Sequence, residues 1–382
     1  MNKRYEELNQ RIRQWYDQGQ DKLLLQTLYS QCNLQHHDLL AHAIDLKDGT
    51  KFADLTDKEL VAQFNKDPFN KYSVEDLNHL MQEVHNRYIG ENKWDITRSV
   101  LVRSNNPEDE GVFGYCCYAD DLLFINNDMI SEAKNIKDRS QAINAETVGK
   151  YFLDTIWHET KHIIQYEDGI DLALGRKQDE EHAFSAAAMM VMMTNFNIAE
   201  AKNDYAYMSK WQSMYRVHFC EHEANYAALK KSELNTEDEL KKSFDYQMYA
   251  SDSAALALGF YPDANDDHKN KGAVKNRVNK IENYLRTQIN YFNSGIEDCP
   301  MKQTIMGILN EYMEQDENGN SKFKERMTRE VGEIVDVYVQ NKRKMNSSVA
   351  KNTNGNRSKN GGKKKPHNVK EVEDENFLGL MR

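Results

Sequence analysis

The sequence predicts an α+β protein, predominantly helical, with a small β-sheet preceding one chemically loaded helix and further helices added at both ends. Three observations predict it. Apolar residues recur at helical spacing through most of the chain, and only 5 of 382 residues are Pro. From Arg98 to Asn126 the period changes to that of strands. After that stretch, a helical run from Glu146 to Asp168 carries His158-Glu159-Thr160-Lys161-His162.

Residues 1–90 read as short helices. Leu8, Ile12 and Trp15 share one face, Leu23-Leu24-Leu25 follows, and Ser73-Val74-Glu75-Asp76 has the pattern of a capped helix start with acids in its first turn. His36, His37, His42, His79 and His85 show no paired metal-ligand spacing and read as surface or hydrogen-bonded core histidines. The region is expected to be a cap on the core or a partner-binding module.

The predicted strands are Ser99-Val100-Leu101-Val102, Val112 to Tyr118 and Leu122 to Asn126. Asn105-Asn106-Pro107 and Ala119-Asp120-Asp121 supply the turns between them. Cys116 and Cys117 lie within the second run. No readable pairing with a His marks either as a nucleophile, and small buried thiols are common.

In the helix that follows, Val148, Phe152, Ile156, Ile163 and Ile164 form the stripe of a helix docked in a core. At about 100° per residue His158 and His162 differ by roughly 40°, so both imidazoles leave one face and can hold one divalent ion. Glu159 lies about 100° away, beside such an ion, where a carboxylate can take a proton from an activated water. The bland alternative is a buried helix whose two His are satisfied by hydrogen bonds.

A tetrahedral zinc site that keeps one position for water needs a third protein ligand. A second helical pattern, from about Tyr205 to Lys231, offers Glu221 and Glu223. Glu221 and Asn225 are one turn apart, so the face that presents a carboxylate also presents an amide able to hydrogen-bond a ligating imidazole. Glu223 lies about 200° round and should point away. His218 is about 60° from Glu221 and shares its face. Either His218 or Tyr226 could donate to the oxyanion that grows during peptide hydrolysis, and a role in the cleft wall is the competing reading for His218. Between the two patterns, the Ala/Met run from Asp179 to Asn195 suits a helix buried on most sides, with His182 a weak cleft candidate.

His158-Glu159-x-x-His162 followed by Glu221-x-x-Ala224-Asn225 resembles the gluzincin branch of the zincin metallopeptidases. The longer strings around them, to Gln165 and to Ala227, also look like the small zinc peptidase-like proteins of the anti-repressor type found on phages and mobile elements. The resemblance spans about Trp94 to Lys231. It implies a zincin-like core with Zn2+ on His158, His162 and Glu221, Glu159 as general base, and Asn225 steadying the site. It also implies an edge strand along the cleft, Gly114 to Tyr118 or Leu123 to Asn126, that pairs with extended substrate. Two departures stand out. Lys161 puts a charge where such peptidases are normally uncharged, and 58 residues, 163 to 220, separate the last His from Glu221, so at least one extra helix must be accommodated.

The rest of the chain narrows the setting. No run approaches the roughly 18 apolar residues of a membrane span, and the start lacks the apolar core of a signal peptide. Cys32, Cys116, Cys117, Cys220 and Cys299 form no Cys-x-x-Cys pair, which argues for a reducing cytoplasm and against a cysteine zinc site. Net charge is −11, with 11 Lys/Arg against 4 Asp/Glu from Asn341 to the end, leaving −18 on residues 1–340. Such a body repels nucleic acid, and any weak polyanion contact falls to the tail. No Gly-rich phosphate loop supports nucleotide hydrolysis.

Val274, Val278, Ile281, Leu285 and Phe292 form one later helical stripe, and Met327, Val331, Ile334 and Tyr338 another. The expected organisation is an N-terminal helical module over 1–90, the metallopeptidase core over 91–235, a C-terminal helical region over 236–345 and a basic, disordered tail over 346–382. The expected activity is zinc-dependent hydrolysis of a protein or peptide. The alternatives are a zinc-binding, non-proteolytic regulator on the same fold and a metal-free helical scaffold. Iron in a two-His-one-carboxylate site would have no need of Glu159 as a base.

Overall fold

The computed structural model describes residues 3–29, 49–64, 71–91, 99–103, 112–117, 122–129, 145–176, 178–236 and 238–357. Cys32, His36, His37, His42, Trp94, Arg98, the turns at 105–107 and 119–121, Tyr118, and residues 358–382 lie outside them. Among the described residues the chain is predominantly helical with one three-stranded sheet, an α+β arrangement.

In order, the elements are α1 (Lys3–Asp17), α2 (Lys22–Tyr29), α3 (Asp57–Phe64), α4 (Val74–Glu91), β1 (Ser99–Arg103), β2 (Gly114–Cys117), β3 (Leu122–Asn126) and α5 (Ala145–Ala173). There follow α6 (Glu180–Lys202), α7 (Tyr205–Ser213), a 3-10 turn (Tyr215–Val217), α8 (Phe219–Asn235), α9 (Asp238–Lys241), α10 (Phe244–Leu258), α11 (Asp267–Gly295), α12 (Pro300–Met313) and α13 (Lys322–Arg357). Local chemistry sets many of these boundaries. Ser73 Oγ accepts the N–H of Asp76 to open α4, and Asp179 accepts that of His182 to open α6. Pro300 sits in the first turn of α12, and Gly259, in the left-handed region at φ +60°, ends α10.

The strand order is β1-β3-β2, with β1 parallel and β2 antiparallel to β3. β3 is therefore central, and of the two segments expected along a cleft only β2 lies at an edge. A side chain at Gly114 would place Cβ 2.6 Å from the Phe124 carbonyl and 3.0 Å from the Thr155 methyl. The absence of Cβ lets β2 lie close to both β3 and α5.

Two apolar clusters meet on α5. Phe152, Leu153, Ile156 and Trp157 pack with the sheet residues Val100, Val102, Leu123 and Ile125 and with α3 and α4. Tyr166 and Ile170, further along α5, join a larger cluster built from α1, α2, α6, α8 and α10 to α13. Residues 1–90 thus divide between the two clusters, α1 and α2 in one and α3 and α4 in the other. His158 to His162 lies within the stretch that packs on the sheet side, between Trp157 and Ile163, and the change of cluster follows at Tyr166.

Two expectations about helices are corrected. The pattern from Tyr205 to Lys231 is not one helix, because the 3-10 turn interrupts it and His218 is extended at φ −59°, ψ 136°. No Gly or Pro marks that break. α13 also continues to Arg357, well into the segment expected to be an unstructured tail from 346. No helix among the described residues is long and apolar enough to cross a membrane.

Candidate metal centre

α5 and α8 cross so that His158, His162 and Glu221 face one another. The two Nε2 atoms are 3.1 Å apart, His162 Nε2 lies 3.2 Å from Glu221 Oε1, and His158 Nε2 lies 3.3 Å from Glu221 Oε2. Donors bound tetrahedrally at about 2.0–2.1 Å stand about 3.3–3.4 Å from one another. Each imidazole thus stands at about that spacing from the other and from one oxygen of Glu221, the two rings facing different oxygens, and one donor atom from each of the three residues lies within 4.8 Å of the others.

The hydrogen-bond pattern says what those donors lack. Gln165 Nε2 faces the Cys220 carbonyl at 3.1 Å and Glu223 Oε2 at 2.6 Å, and both can only accept. The amide orientation is thus set, so Oε1 is the atom facing His162 Nδ1 at 2.8 Å, and Nδ1 must carry the proton. In the neutral ring that leaves His162 Nε2 a lone pair directed at His158 and Glu221. Glu221 Oε2 is buried without a hydrogen-bond partner. Lone pairs of His162 Nε2 and of the Glu221 carboxylate thus face the His158 ring nitrogen, and a proton or a metal cation between them relieves their repulsion.

The charge balance agrees. Burial acts to lower the His162 pKa, but Glu221, Glu159 and Gln165 outweigh it and raise the value to about 9. Burial acts to raise the Glu221 carboxyl, and His162 and His158 overcome it, holding the group well below the usual carboxylate range. The cage favours positive charge. His158, His162 and Glu221 fit a divalent ion on the chemistry and spacing of their donors.

Glu159 is placed beside the cage. Its Oε2 accepts the backbone N–H of Cys116 at 3.0 Å, and its Oε1 lies 3.9 Å from His158 Nε2. The register explains the strand's part. Asn126 N–H donates to the Phe113 carbonyl, so in the antiparallel pairing the residues at 115 and 117 face β3 while the Cys116 amide points outward, toward α5.

The remaining expected residues are placed as follows. Tyr226 donates to Glu333 Oε2 at 2.8 Å and is directed at α13. His218 caps α8 instead of sharing its face, with Nε2 3.2 Å from the Tyr284 hydroxyl and Nδ1 3.0 Å from Gln288 Nε2. Burial, partly opposed by Glu221, lowers its pKa to about 4, so it is neutral near pH 7. Asn225 makes no side-chain hydrogen bond among the described residues, and the amide that engages a ligand imidazole is that of Gln165. His182 is half-buried and pairs with Asp179 at 2.5 Å, away from the cage. His85 is buried, with Nδ1 2.8 Å from Thr160 Oγ1.

Glu223 does turn away from the imidazoles, into a buried network. Its Oε1 lies 2.7 Å from Arg326 Nη2, 2.7 Å from Ser185 Oγ and 3.4 Å from Lys161 Nζ. The unusual charge of Lys161 is thereby accounted for, since it helps to neutralise a buried acid.

Tyr215, in the 3-10 turn, is a residue that sequence periodicity does not single out. The residue is 43% exposed, and its hydroxyl is near enough to Glu221 to feel the charge of that carboxylate. Burial of that hydroxyl, then the charges of Glu221 and Glu159, push its pKa well above 10 and keep the proton on oxygen. Compared with protein-family models, with curated proteins and with solved structures, the chain matches none.

Proposed function

We propose that this chain is a zinc-dependent metallopeptidase with a zincin-like core, acting on protein or peptide substrates in a reducing cytoplasm. The observation that carries the reading is the convergence of His158 Nε2, His162 Nε2 and the Glu221 carboxylate, each ring 3.2–3.3 Å from one carboxylate oxygen, with a second carboxylate, Glu159, held just beside them. Zinc, when bound there, would supply a Lewis acid and lower the pKa of a water to about 7.

The chain's own groups account for the rest. Glu159 Oε2 is tied to Cys116, so Oε1 is the oxygen that takes a proton from the attacking water and passes it to the leaving amine. The hydroxyl of Tyr215 donates to the carbonyl oxygen as negative charge grows on it, since its raised pKa keeps it a donor. β2 lies at the sheet edge next to Glu159, where an extended peptide can be held by its main chain.

The test is bound-metal content of the purified full chain, wild type against Glu221→Ala, with hydrolysis of a denatured protein substrate followed in parallel. The expected result is about one zinc per wild-type chain, with metal and hydrolysis both lost in a folded Glu221→Ala variant. A wild type with no tightly bound metal would end the reading.

A further inference from the structure

α13 lies outside the segment that carries the ligands, yet it reaches the cage through one side chain. Arg326, almost fully buried, directs Nη2 to Glu223 Oε1 at 2.7 Å and Nε to Glu330 Oε1 at 2.8 Å. Glu330 Oε2 in turn lies 3.0 Å from His222 Nε2. The other oxygen of Glu223 accepts from Gln165 Nε2 at 2.6 Å, and Gln165 Oε1 faces His162 Nδ1 at 2.8 Å. Three consecutive contacts, Arg326 to Glu223, Glu223 to Gln165 and Gln165 to His162, therefore join a helix near the C-terminus to a ligand imidazole.

The direction of each contact matters. Gln165 can present oxygen or nitrogen to His162, and the two ends of its amide differ little in shape. The carboxylate of Glu223 at 2.6 Å and the carbonyl of Cys220 at 3.1 Å, which only accept, hold the nitrogen end on their side, the carboxylate being the shorter and charged contact. With Arg326 removed, the strongest remaining cation at Glu223 is Lys161, 3.4 Å from Oε1. A buried carboxylate that loses its guanidinium is less firmly fixed, and its grip on the amide weakens with it, leaving the Cys220 carbonyl as the remaining acceptor. Once Gln165 turns over, its nitrogen faces Nδ1, the imidazole proton moves to Nε2, and the lone pair needed in the cage is gone.

We propose that Arg326 is a positioning residue for the metal: by holding Glu223 it keeps Gln165 Oε1 on His162 Nδ1 and so keeps His162 Nε2 free to ligate. The inference rests on the zinc reading and extends it by making α13 part of the metal site.

The experiment is competitive zinc titration of the full chain against a chromophoric chelator, with far-UV circular dichroism checking the fold. Arg326→Met and Gln165→Met are each expected to weaken zinc binding about 10–100-fold, the range for partners that orient a ligating imidazole. The double variant is expected to bind no more weakly than Gln165→Met alone, because Arg326 acts through that amide. Arg326→Lys, which keeps the charge without the planar fork, should recover part of the loss. A buried change away from this chain of contacts, Leu309→Ala in α12, should alter zinc affinity by less than about twofold despite destabilising the fold. With Co2+ in place of zinc, Arg326→Met should shift the visible absorption bands, which report ligand geometry.

Wild-type affinity in Arg326→Met, or an equal further loss on adding it to Gln165→Met, overturns the proposal. Should Arg326→Met fail to fold, Arg326→Lys decides in its place, and wild-type affinity there, or an equal further loss on adding it to Gln165→Met, overturns the proposal. A wild type that takes up no zinc overturns this inference along with the metal reading. Zinc affinity lost in step with these contacts supports it even in a chain that cuts no peptide.

Discussion

The backbone N–H of Cys116 donates to Oε2 of Glu159 at 3.0 Å, so an edge strand fixes one oxygen of the acid and turns the other toward His158. The proposed base is thereby aimed by the sheet as well as by its own helix. A glutamine at 159 keeps the acceptor for Cys116 but cannot take up a proton.

Glu159→Gln is accordingly expected to retain about one zinc per chain while losing about 10²–10⁴-fold in peptide turnover. Metal analysis and a single-turnover peptide assay on the same preparation check both halves. Loss of zinc together with turnover would make Glu159 a structural group.

Tyr215→Phe removes one hydroxyl and is expected to lower kcat by about 10²–10³-fold with KM and zinc content nearly unchanged. Tyr226→Phe, whose hydroxyl is spent on Glu333, should leave turnover at the wild-type level. His218→Ala leaves Tyr284 and Gln288 short of a buried partner and is expected to cost about 1–3 kcal/mol of stability, read as a lower urea midpoint.

Asp154, one turn before His158, is half-buried, with a buried Oδ1 lacking a hydrogen-bond partner and Ser253 Oγ 3.3 Å from Oδ2. Burial, opposed by His158, raises its pKa from 3.8 to about 6. A carboxyl raised on folding is bound to its proton more tightly in the native state. Its contribution is fully present below about pH 3.8 and is lost as pH rises to about 6. Over that window the wild type should lose about 3 kcal/mol of stability relative to Asp154→Asn, with no further divergence above it. Urea melts of both chains between pH 3.5 and about 7.5 would show the gap, and parallel curves would remove Asp154 as its source.

The sequence carried some of this plainly and some not at all. The (i, i+4) spacing of His158 and His162 and the helical phase that separates Glu221 from Glu223 are local properties of a regular helix, so periodicity can read them, and the structure brings the first three together. The strand runs were legible because β-rich residues crowd between turn residues, and β3 spans Leu122–Asn126 as expected. Tyr215 was hidden because the 3-10 turn breaks the helical phase without a Gly or Pro to announce it. A side chain in such a turn cannot be aimed by counting 100° steps. His218 was misplaced on the Glu221 face for the same reason. Lys161, Glu223 and Arg326 make sense only as one network, and Arg326 comes 103 residues after Glu223. No periodic signal connects positions that far apart; the packing of α13 does.

The order of synthesis gives that last helix a further meaning. A ribosome finishes both histidines and Glu221 about a hundred residues before it reaches Arg326, so a nascent chain owns every ligand while Glu223 still lacks its guanidinium partner. On the proposed role of Arg326, the support behind the His162 ring is complete only once nearly the whole described chain has been made.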